Sequence, residues 1–401
     1  MKAEYYLQGR VLIMIRSVKN NDISTRWDPS CFGGKTFIEY FAGIGLFRMA
    51  LETLGWTPIF ANDISYIKKD IYNGFYNDEL DHYVVEDIFN LKTDSIPKAL
   101  LATAGFPCID LSLAGNQSGV INGKHSSAFW GLIDILKSQG DNSPPLIILE
   151  NVPGWLSSNK GEDFRLTIQA LNGVGYACDV FVLDALRFTP QSRQRVFLIG
   201  NKTDSHDFNV EKLDIRSQKL KTKRLMDAIT TNSDLNWQFL DIPEPPDHLD
   251  NGLNHIVERI KLGDGRWWSN DEVIRHLDMM TDSHKDRINK LAKKSNVNYR
   301  TFYRRVRNGS QRSEVRKGET AGCLRTAAGG SSKQFIIAAG LGKINMRNMT
   351  SKEYARLQGV PDKYKIYVPE NDALTGFGDA VCVPVIEWIG KNVLPLLLDE
   401  E

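Results

Sequence analysis

Residues 36–46 read Thr-Phe-Ile-Glu-Tyr-Phe-Ala-Gly-Ile-Gly-Leu, an apolar run that ends in two closely spaced glycines. The β-branched and aromatic residues favour a buried strand, and glycines let the backbone turn tightly beside a ligand. In open α/β sheets the first strand ends in such a turn, and ligands bind at the carboxyl edge of the sheet. Arg48 and Met49 stand where the third glycine of a dinucleotide fingerprint would fall, which favours a cofactor without a pyrophosphate.

Six further apolar runs follow this strand, separated by stretches with helical spacing such as that of Phe47, Ala50, Leu51 and Leu54. Together the runs predict strands near residues 36–41, 58–61, 83–85, 100–105, 146–149, 179–183 and 196–199. Strands that alternate with helices predict an α/β fold with a doubly wound, mostly parallel sheet.

The pattern changes after Gly200, where the chain becomes rich in Asn, Asp, Lys and Pro. From Met349 onward, two helix-like segments at 351–357 and 381–398 have apolar residues suited to packing on the first domain. We therefore predict an N-terminal extension (1–34), a first domain (35–200), a smaller inserted domain (201–348) and a C-terminal segment (349–401) that returns to the first domain.

The composition excludes a disordered or fibrous chain, because 42% of the 401 residues are apolar. The five cysteines are widely spaced and form no Cys-x-x-Cys pair, which argues against a disulfide framework or a structural zinc site and predicts a cytoplasmic protein. The apolar run at residues 11–15 is too short for a membrane span, so we expect no membrane association.

Two aspartates follow strands at positions where acidic side chains of such folds accept hydrogen bonds from ribose hydroxyls. Asp63 comes after the second strand and Asp87 closes the third. An Asp in this place is more often the N-cap of a helix, which is the alternative for each residue. With the glycine turn, the two aspartates favour a nucleoside site.

Three later motifs bring reactive groups to the same edge. The fourth strand ends in Gly105-Phe-Pro-Cys108, whose thiol is either a small buried apolar group or a nucleophile. Glu150 ends the apolar fifth strand and either reaches solvent or acts in the site. Arg193 and Arg195 alternate before the last strand, so both would point the same way and could meet an anion.

In this order the motifs resemble those of bacterial DNA (cytosine-5)-methyltransferases of restriction-modification systems. The resemblance covers residues 35–200 and 320–390 and rests on six motifs, which are Phe41-Ala-Gly-Ile-Gly45, Gly105-Phe-Pro-Cys108, Glu150-Asn-Val152, Gln191-Ser-Arg-Gln-Arg195, Arg356-Leu-Gln-Gly359 and Gly378-Asp-Ala-Val381. It implies a Rossmann-like catalytic domain at 35–200 and a target-recognition domain at 201–348. It also implies S-adenosyl-L-methionine as cofactor, bound by Phe41, Gly43, Gly45, Asp63, Ile64, Asp87, Ile88, Gly105, Pro107 and Asp379.

Three positions depart from the family's usual residues. Ile109 replaces a Gln that helps to hold the displaced DNA, Ile64 replaces an aromatic residue that stacks on adenine, and Asp379 replaces Asn. None of the three is a reacting group, so we expect an active enzyme, and the effect of these residues on cofactor and DNA affinity is left open.

The resemblance implies a covalent mechanism with Cys108, Glu150, Arg193 and Arg195 as catalytic residues. The Cys108 thiolate adds to carbon 6 of a flipped-out cytosine, while protonated Glu150 hydrogen-bonds to ring nitrogen 3. Carbon 5 then attacks the sulfonium methyl, and loss of the carbon 5 proton and of Cys108 releases 5-methylcytosine. Arg193 and Arg195 hold the base and a neighbouring phosphate, and no metal is required.

A basic run favours double-stranded DNA as the partner, although Lys plus Arg (50) balances Asp plus Glu (49) overall. Residues 285–318 hold twelve basic side chains against two acidic ones. The apolar residues there have the spacing of a helix-turn-helix core (Ile288, Leu291, Ala292, Val297, Phe302 and Val306). This spacing leaves the predicted DNA-binding residues outward (Arg300, Arg304, Arg305 and Arg307). A solvated helix face is the alternative.

Three rival classes share part of the pattern. A nicotinamide-dependent oxidoreductase would share the glycine turn but would not need the later motifs. An RNA cytosine-5 methyltransferase would share the motifs, whereas the large insertion favours duplex DNA. A non-catalytic DNA-binding protein would require an inert Cys108. We expect a monomer whose cognate restriction endonuclease is a functional partner rather than a physical one.

Overall fold

The computed structural model describes residues 26–76, 81–106, 128–203, 208–250, 252–261, 263–326 and 332–399. A seven-stranded sheet lies at its centre and confirms every strand predicted between residues 35 and 200. The strands are β1 (Thr36–Tyr40), β2 (Thr57–Asp63), β3 (Tyr83–Val85), β4 (Leu101–Ala104), β5 (Leu146–Asn151), β6 (Tyr176–Asp184) and β7 (Gln194–Lys202).

The strand order is β3-β2-β1-β4-β5-β7-β6. The pairs from β3 to β5 are parallel, and β7 runs antiparallel to both β5 and β6. The sheet is therefore doubly wound and mostly parallel, as predicted. Because the strand order reverses at β1, the carboxyl ends of β1 and β4 border the crevice in which such sheets bind ligands.

Helices cover both faces of this sheet. They include α1 (Leu46–Glu52), α2 (Tyr66–Tyr76), α3 (Ala128–Gln139), α4 (Glu162–Gly173), α5 (Val210–Ile215) and α6 (Lys223–Thr231). Neighbouring residues of β1 enter different cores, since Phe37 packs in the cluster on one face and Ile38 in the cluster on the other. This burial on both faces explains why the strands are almost continuously apolar.

The stretch 208–242 packs on the first sheet instead of forming part of a separate domain. Leu225 and Ile229 of α6, together with Trp237, are buried in the same cluster as Ile38. Arg216, just after α5, forms a buried ion pair of 2.6 Å with Asp179 of β6. The predicted boundary at residue 201 therefore lies too early, because the polar composition of this stretch obscured its few buried residues.

A second, antiparallel sheet is formed by residues that lie, in the sequence, between the two parts of the first domain. Its strands are β8 (Asn298–Arg307), β9 (Ser310–Val315), β10 (Gln334–Gly340) and β11 (Lys343–Asn348), in the order β11-β10-β8-β9. The helices α7 (Leu253–Ile256), α8 (Asn270–Asp278) and α9 (Asp282–Ala292) precede it. Ile288 and Leu291 of α9 form a separate core with Phe302, Phe335 and Met346.

The predicted helix-turn-helix is wrong in its second half. Residues 298–307 form β8, which pairs with β10 on one side and with β9 on the other. Val306, predicted as a core residue, is 60% exposed. The apolar residues of this segment, at 299, 302, 303 and 306, do have helical spacing, whereas its aromatic and β-branched residues favour a strand. Pairing with β9 and β10 decides between the two.

The C-terminal segment returns to the first domain through α10 (Ser351–Leu357), α11 (Glu370–Asp379) and α12 (Val383–Asn392). The span Glu370–Leu397 is long and apolar enough to cross a membrane by length and composition alone. However, it is interrupted between α11 and α12, and Phe377, Ile386 and Ile389 are buried in the same core as Phe37. It is therefore a core element of this fold.

A buried ion pair fastens the second sheet to the first domain. Arg347 of β11 donates from Nη1 to Oε2 of Glu353 in α10 at 2.8 Å, and both side chains are fully buried. Glu353 also accepts hydrogen bonds from the backbone N–H groups of Glu258 and Thr350. Trp267 forms a β-bridge with Arg347, so the segment that contains α8, α9 and the second sheet begins and ends at neighbouring positions.

Candidate active site

The turn after β1 is a concave stretch of backbone at the carboxyl edge of the sheet. Phe41, Gly43 and Gly45 all have positive φ angles, of 54°, 58° and 78°. A Cβ at Gly45 would lie 2.6 Å from the Tyr72 ring, whereas one at Gly43 would meet only the Phe41 carbonyl oxygen, at 3.9 Å. A non-glycine residue held in the left-handed region is typical of functional sites.

Glu39 supports this turn from within β1 and was not among the predicted site residues. Its carboxylate accepts hydrogen bonds from the Arg48 backbone N–H at 3.1 Å and from the Tyr72 hydroxyl at 3.3 Å. Burial raises the pKa of Glu39 to about 8, despite the nearby Arg48 guanidinium. The available signal was an acidic residue inside an otherwise apolar strand.

Asp63 links the end of β2 to the glycine turn. One carboxylate oxygen accepts a hydrogen bond from the Gly43 N–H and the other from the Ser65 N–H, both at 3.0 Å. Lys68 Nζ lies 3.7 Å from Asp63 and 3.5 Å from Asp379. Although partial burial opposes the charged amine, the two carboxylates raise the pKa of Lys68. Asp379, which stands where the family usually has Asn, thus has the charged amine of Lys68 beside it.

The third strand brings a second carboxylate to the same edge. Asp87 accepts a hydrogen bond from the Phe89 N–H at 3.1 Å and begins a 3₁₀ turn, which is the capping role named as its alternative. Ile88 is buried and lies close to Gly131 of α3. A Cβ at Gly131 would be 2.7 Å from the Ile88 side chain. Ile64 is 67% exposed, so it offers an apolar surface at the edge of the site.

Glu150 and Arg195 form the other half of the site. Arg195 Nε lies 2.7 Å from Glu150 Oε1, and Glu150 is only 7% exposed, so the alternative that it reaches solvent is wrong. Glu150 Oε2 faces Gly105, where a Cβ would lie 3.4 Å from this oxygen. Gly105 follows β4 and leads towards Cys108, which lies outside the described residues together with Pro107 and Ile109.

Arg193 is engaged by the protein itself. Its guanidinium donates to the backbone carbonyls of Leu324 at 2.9 Å, Gly378 at 3.3 Å and Ala380 at 2.7 Å. Gln191, two residues earlier, donates to the carbonyl of Leu357 at 3.0 Å. These bonds fasten the returning C-terminal chain to the first domain, so the geometry does not favour the predicted contact of Arg193 with the base or a phosphate.

Cys323 completes this part of the site, and no motif indicated it. Its Sγ lies 3.4 Å from Arg193 Nη1 and 3.8 Å from both Nη1 and Nη2 of Arg195. The two arginines therefore do point the same way, as their alternate spacing predicts. Cys323 follows a segment that pairs with Gln191 through Ala321, which brings it to the site from the far end of the insertion.

The four arginines predicted to bind DNA lie in two different environments, two of them partly buried and two exposed. Arg300 pairs with Glu319 at 3.2 Å, and the Arg304 guanidinium lies 5.2 Å from the centre of the Phe335 ring. Arg305 and Arg307 are exposed near the tip of the β8–β9 hairpin, where Arg307 pairs with Glu314 at 3.0 Å. In the strand register Arg305 lies directly opposite Arg312, a residue outside the predicted set.

This fold and site define a methyltransferase that uses S-adenosyl-L-methionine. The strand order, the glycine turn and the carboxylates after β2 and β3 suit a nucleoside cofactor without a pyrophosphate. Across the described parts of the chain, no three His, Cys, Asp or Glu side chains are grouped so as to hold a metal ion.

The sequence profile of the C-5 cytosine-specific DNA methylase family matches residues 35–394, and the chain belongs to this family. It is a DNA (cytosine-5)-methyltransferase. The type II methyltransferase M.HhaI of Haemophilus parahaemolyticus is 25% identical over 363 residues, which cover 90% of this chain and 94% of that protein. M.DsaV of Dactylococcopsis salina is 28% identical over 359 residues, covering 89% of this chain and 85% of that protein.

Solved methyltransferase structures share the fold at low sequence identity. EhMeth of Entamoeba histolytica has a TM-score of 0.57 at 14% identity and covers 88% of this chain and 96% of that chain. Dnmt2 of S. pombe has a TM-score of 0.55 at 17% identity and covers 90% of this chain and 99% of that chain. At these identities the likeness concerns the fold alone.

Replacing Asp63 or Asp87 with alanine is expected to weaken S-adenosyl-L-methionine binding by about 1.5 to 3 kcal/mol each, the cost of losing a hydrogen bond to a charged group. Titration calorimetry measures this change. Asp70→Ala, an exposed carboxylate on α2, serves as the matched control. Unchanged affinity in both variants would mean that the two carboxylates only cap the segments that follow them.

Proposed function

We propose that this methyltransferase is the modification enzyme of a restriction-modification system, with Cys108 as nucleophile and Glu150 as the group that holds the cytosine ring. The observation that carries the site assignment is the buried Glu150–Arg195 pair, which lies beside the strand end that leads to Cys108. The names of the type II relatives support the biological role.

The described residues fit the cofactor. Gly43 faces open space that a cofactor could fill, and Asp63 and Asp87 bring carboxylates for ribose hydroxyls to the same edge. Ile64 would cover the adenine with an apolar side chain in place of a ring. S-adenosyl-L-methionine supplies the methyl group as an electrophilic sulfonium. Lys68 keeps Asp63 and Asp379 from repelling each other around this cofactor.

The base chemistry belongs to Cys108 and Glu150. The Cys108 thiolate forms a bond to carbon 6, and the electrons of the carbon 5–carbon 6 double bond make carbon 5 nucleophilic. Protonated Glu150 hydrogen-bonds to ring nitrogen 3 and stabilises the charge that develops there. Once carbon 5 is methylated, its proton leaves to a base and the carbon–sulfur bond breaks. Arg195 Nε lies beside Glu150 Oε1, and Oε2 is on the side of Gly105, where the substrate would enter.

Arg193 takes a positioning role in this proposal. Its bonds to three backbone carbonyls hold residues 324, 378 and 380 beside the site. Asp379 therefore reaches Lys68 because the chain on either side of it is tied to Arg193.

The DNA-binding surface is proposed to be the face of the β8–β9 hairpin that is turned towards the first domain. Alternation along β8 places Tyr303, Arg305 and Arg307 on one face, and the register adds Arg312. The same face of β8 carries Tyr299, which packs against the core of the first domain, so the hairpin tip extends over the side on which that domain lies. Arginines placed directly opposite each other destabilise a hairpin, unless a polyanion such as DNA neutralises them.

Changing Arg305, Arg307 and Arg312 singly to alanine is expected to weaken DNA binding and to reduce the slope of log affinity against log salt by about 1 for each phosphate contact. An arginine that reads guanine instead loses about 1 to 3 kcal/mol on the target alone. Lys343→Ala, at the opposite end of the sheet, is the control. If all three variants keep the wild-type affinity and slope, DNA must bind elsewhere, for example around Trp267 and Trp268.

Expression in a host that lacks cytosine methylation, followed by bisulfite sequencing of its DNA, tests the activity and reveals the target sequence. Methylation at one short sequence is expected. A parallel assay with tritiated S-adenosyl-L-methionine on DNA and on tRNA separates the RNA alternative, and label confined to tRNA would overturn the proposal. An enzyme that modifies host DNA would act in the cytoplasm, as a monomer, alongside a cognate endonuclease.

A further inference from the structure

A sulfur atom lies among the charged groups of the active site. Cys323 Sγ is within 3.8 Å of the guanidinium groups of both Arg193 and Arg195, and Arg195 Nε is 2.7 Å from Glu150. The contacts of Arg195 with Cys323 and with Glu150 form a continuous chain from the sulfur to the carboxylate. Cys323 is half-buried and follows the second sheet's first hairpin, so it comes from a different part of the chain than β5 and β7.

The electrostatic surroundings of Cys323 differ from those of the fully buried cysteines. Burial raises the pKa of Cys382 to about 11 and raises that of Cys178 further. Burial also opposes the thiolate at Cys323, but the positive charges of Arg195, Arg193 and Arg325 outweigh it and lower the pKa. A sulfur with thiolate character accepts hydrogen bonds from guanidinium groups more strongly than a thiol does.

We propose that Cys323 is a positioning residue of the methyl transfer reaction, whose sulfur holds the Arg195 guanidinium so that Nε faces Glu150. This inference rests on the proposed role of Glu150. The Arg195 side chain is long and has many rotamers, and contacts at both ends of its guanidinium restrict it to one. Cys323 touches neither cofactor nor base in this proposal and does not replace Cys108 as nucleophile.

The two arginines also differ in the groups that their guanidinium nitrogens contact. Arg193 donates hydrogen bonds from Nη1 and Nη2 to backbone carbonyls, and only its Nη1 also contacts the sulfur. Arg195 instead has both Nη1 and Nη2 at 3.8 Å from the sulfur and Nε at 2.7 Å from the carboxylate, and its Nη1 also donates to the Gln194 carbonyl. Removing the sulfur would therefore disturb Arg195 far more than Arg193, and the fold should remain intact.

The test is the turnover number on unmodified genomic DNA with saturating tritiated S-adenosyl-L-methionine. Cys323→Ala is expected to lower kcat about tenfold or more, because a small misplacement of a catalytic group is costly. Cys323→Ser keeps an acceptor of similar size and is expected to recover most of this loss. The cofactor Kd from calorimetry and the Tm should stay near wild-type values in both variants. Cys31→Ala, an exposed cysteine at the other end of the described chain, is the matched control.

A double-mutant cycle distinguishes positioning from a general effect on the fold. If Cys323 acts through Arg195, Cys323→Ala should cause no further loss of kcat in an Arg195→Ala background. Equal losses in both backgrounds, or a kcat within twofold of wild type in Cys323→Ala, would overturn the inference. A wild-type protein that methylates no cytosine in DNA would instead overturn the proposed function, so the two failures are distinguishable.

Discussion

Cys108→Ala is expected to lower methyl transfer at least 1000-fold, on the order of the loss seen when a covalent nucleophile is removed. S-adenosyl-L-methionine binding should be nearly unchanged, because the thiol reacts with the base and not with the cofactor. Cys108→Ser should lose almost as much, since a hydroxyl is a far weaker nucleophile than a thiolate at neutral pH. Transfer of tritiated methyl groups to DNA measures the rate, and calorimetry measures the cofactor affinity.

A mechanism-based adduct supplies a second measurement. DNA that contains 5-fluorocytosine should form a stable covalent complex with the wild-type protein, because fluorine cannot leave as a proton does. The complex should be absent for Cys108→Ala and present for Cys31→Ala. More than about a tenth of wild-type turnover in Cys108→Ala would contradict covalent catalysis by this residue.

Arg347→Met is expected to lower the free energy of unfolding by about 3 to 5 kcal/mol, because it leaves the fully buried Glu353 carboxylate without its partner. Chemical denaturation followed by circular dichroism measures this change. Adding Glu353→Gln should restore part of the loss, since the neutral amide oxygen can still accept from the Glu258 and Thr350 N–H groups.

Arg266→Met provides the matched control for that experiment. Arg266 pairs with Asp264 on the surface, where solvent screens the interaction, so stability should hardly change. If Arg347→Met proved as harmless as Arg266→Met, the ion pair would not be what holds the second sheet on the first domain.

The catalytic domain could be predicted from sequence because its signals are local. Strands buried on both faces are continuous apolar runs, and the glycine turn and the motif residues stand at strand ends. The second domain carried no such signal. Residues 298–307 have their apolar side chains at helical spacing, and only pairing with β9 and β10 shows that they form a strand. The strand face on which each arginine of this segment lies consequently could not be predicted.

A site residue could be predicted from the sequence only where its role follows from its position at the end of a strand. Glu150 meets this condition, whereas the role of Arg193 depends on carbonyl groups of residues 324, 378 and 380. Cys323 is 128 residues from Arg195 in the sequence, and no periodicity connects them. Contacts over such separations arise only from the folded topology.

The closeness of the two chain connections at Trp267 and Arg347 has an evolutionary consequence. Trp267 bridges Arg347, and the Trp268 N–H donates to the Met346 carbonyl at 2.9 Å, so the inserted segment begins and ends side by side. Recombination between related genes could replace the segment between these positions as a cassette without moving the rest of the backbone. The arginine that meets Glu353 would have to be retained, and so would residues 321–324, which pair with Gln191 and contact Arg193 and Arg195. New target sequences could thus arise by exchange of the rest of this segment while the methylating machinery is inherited unchanged.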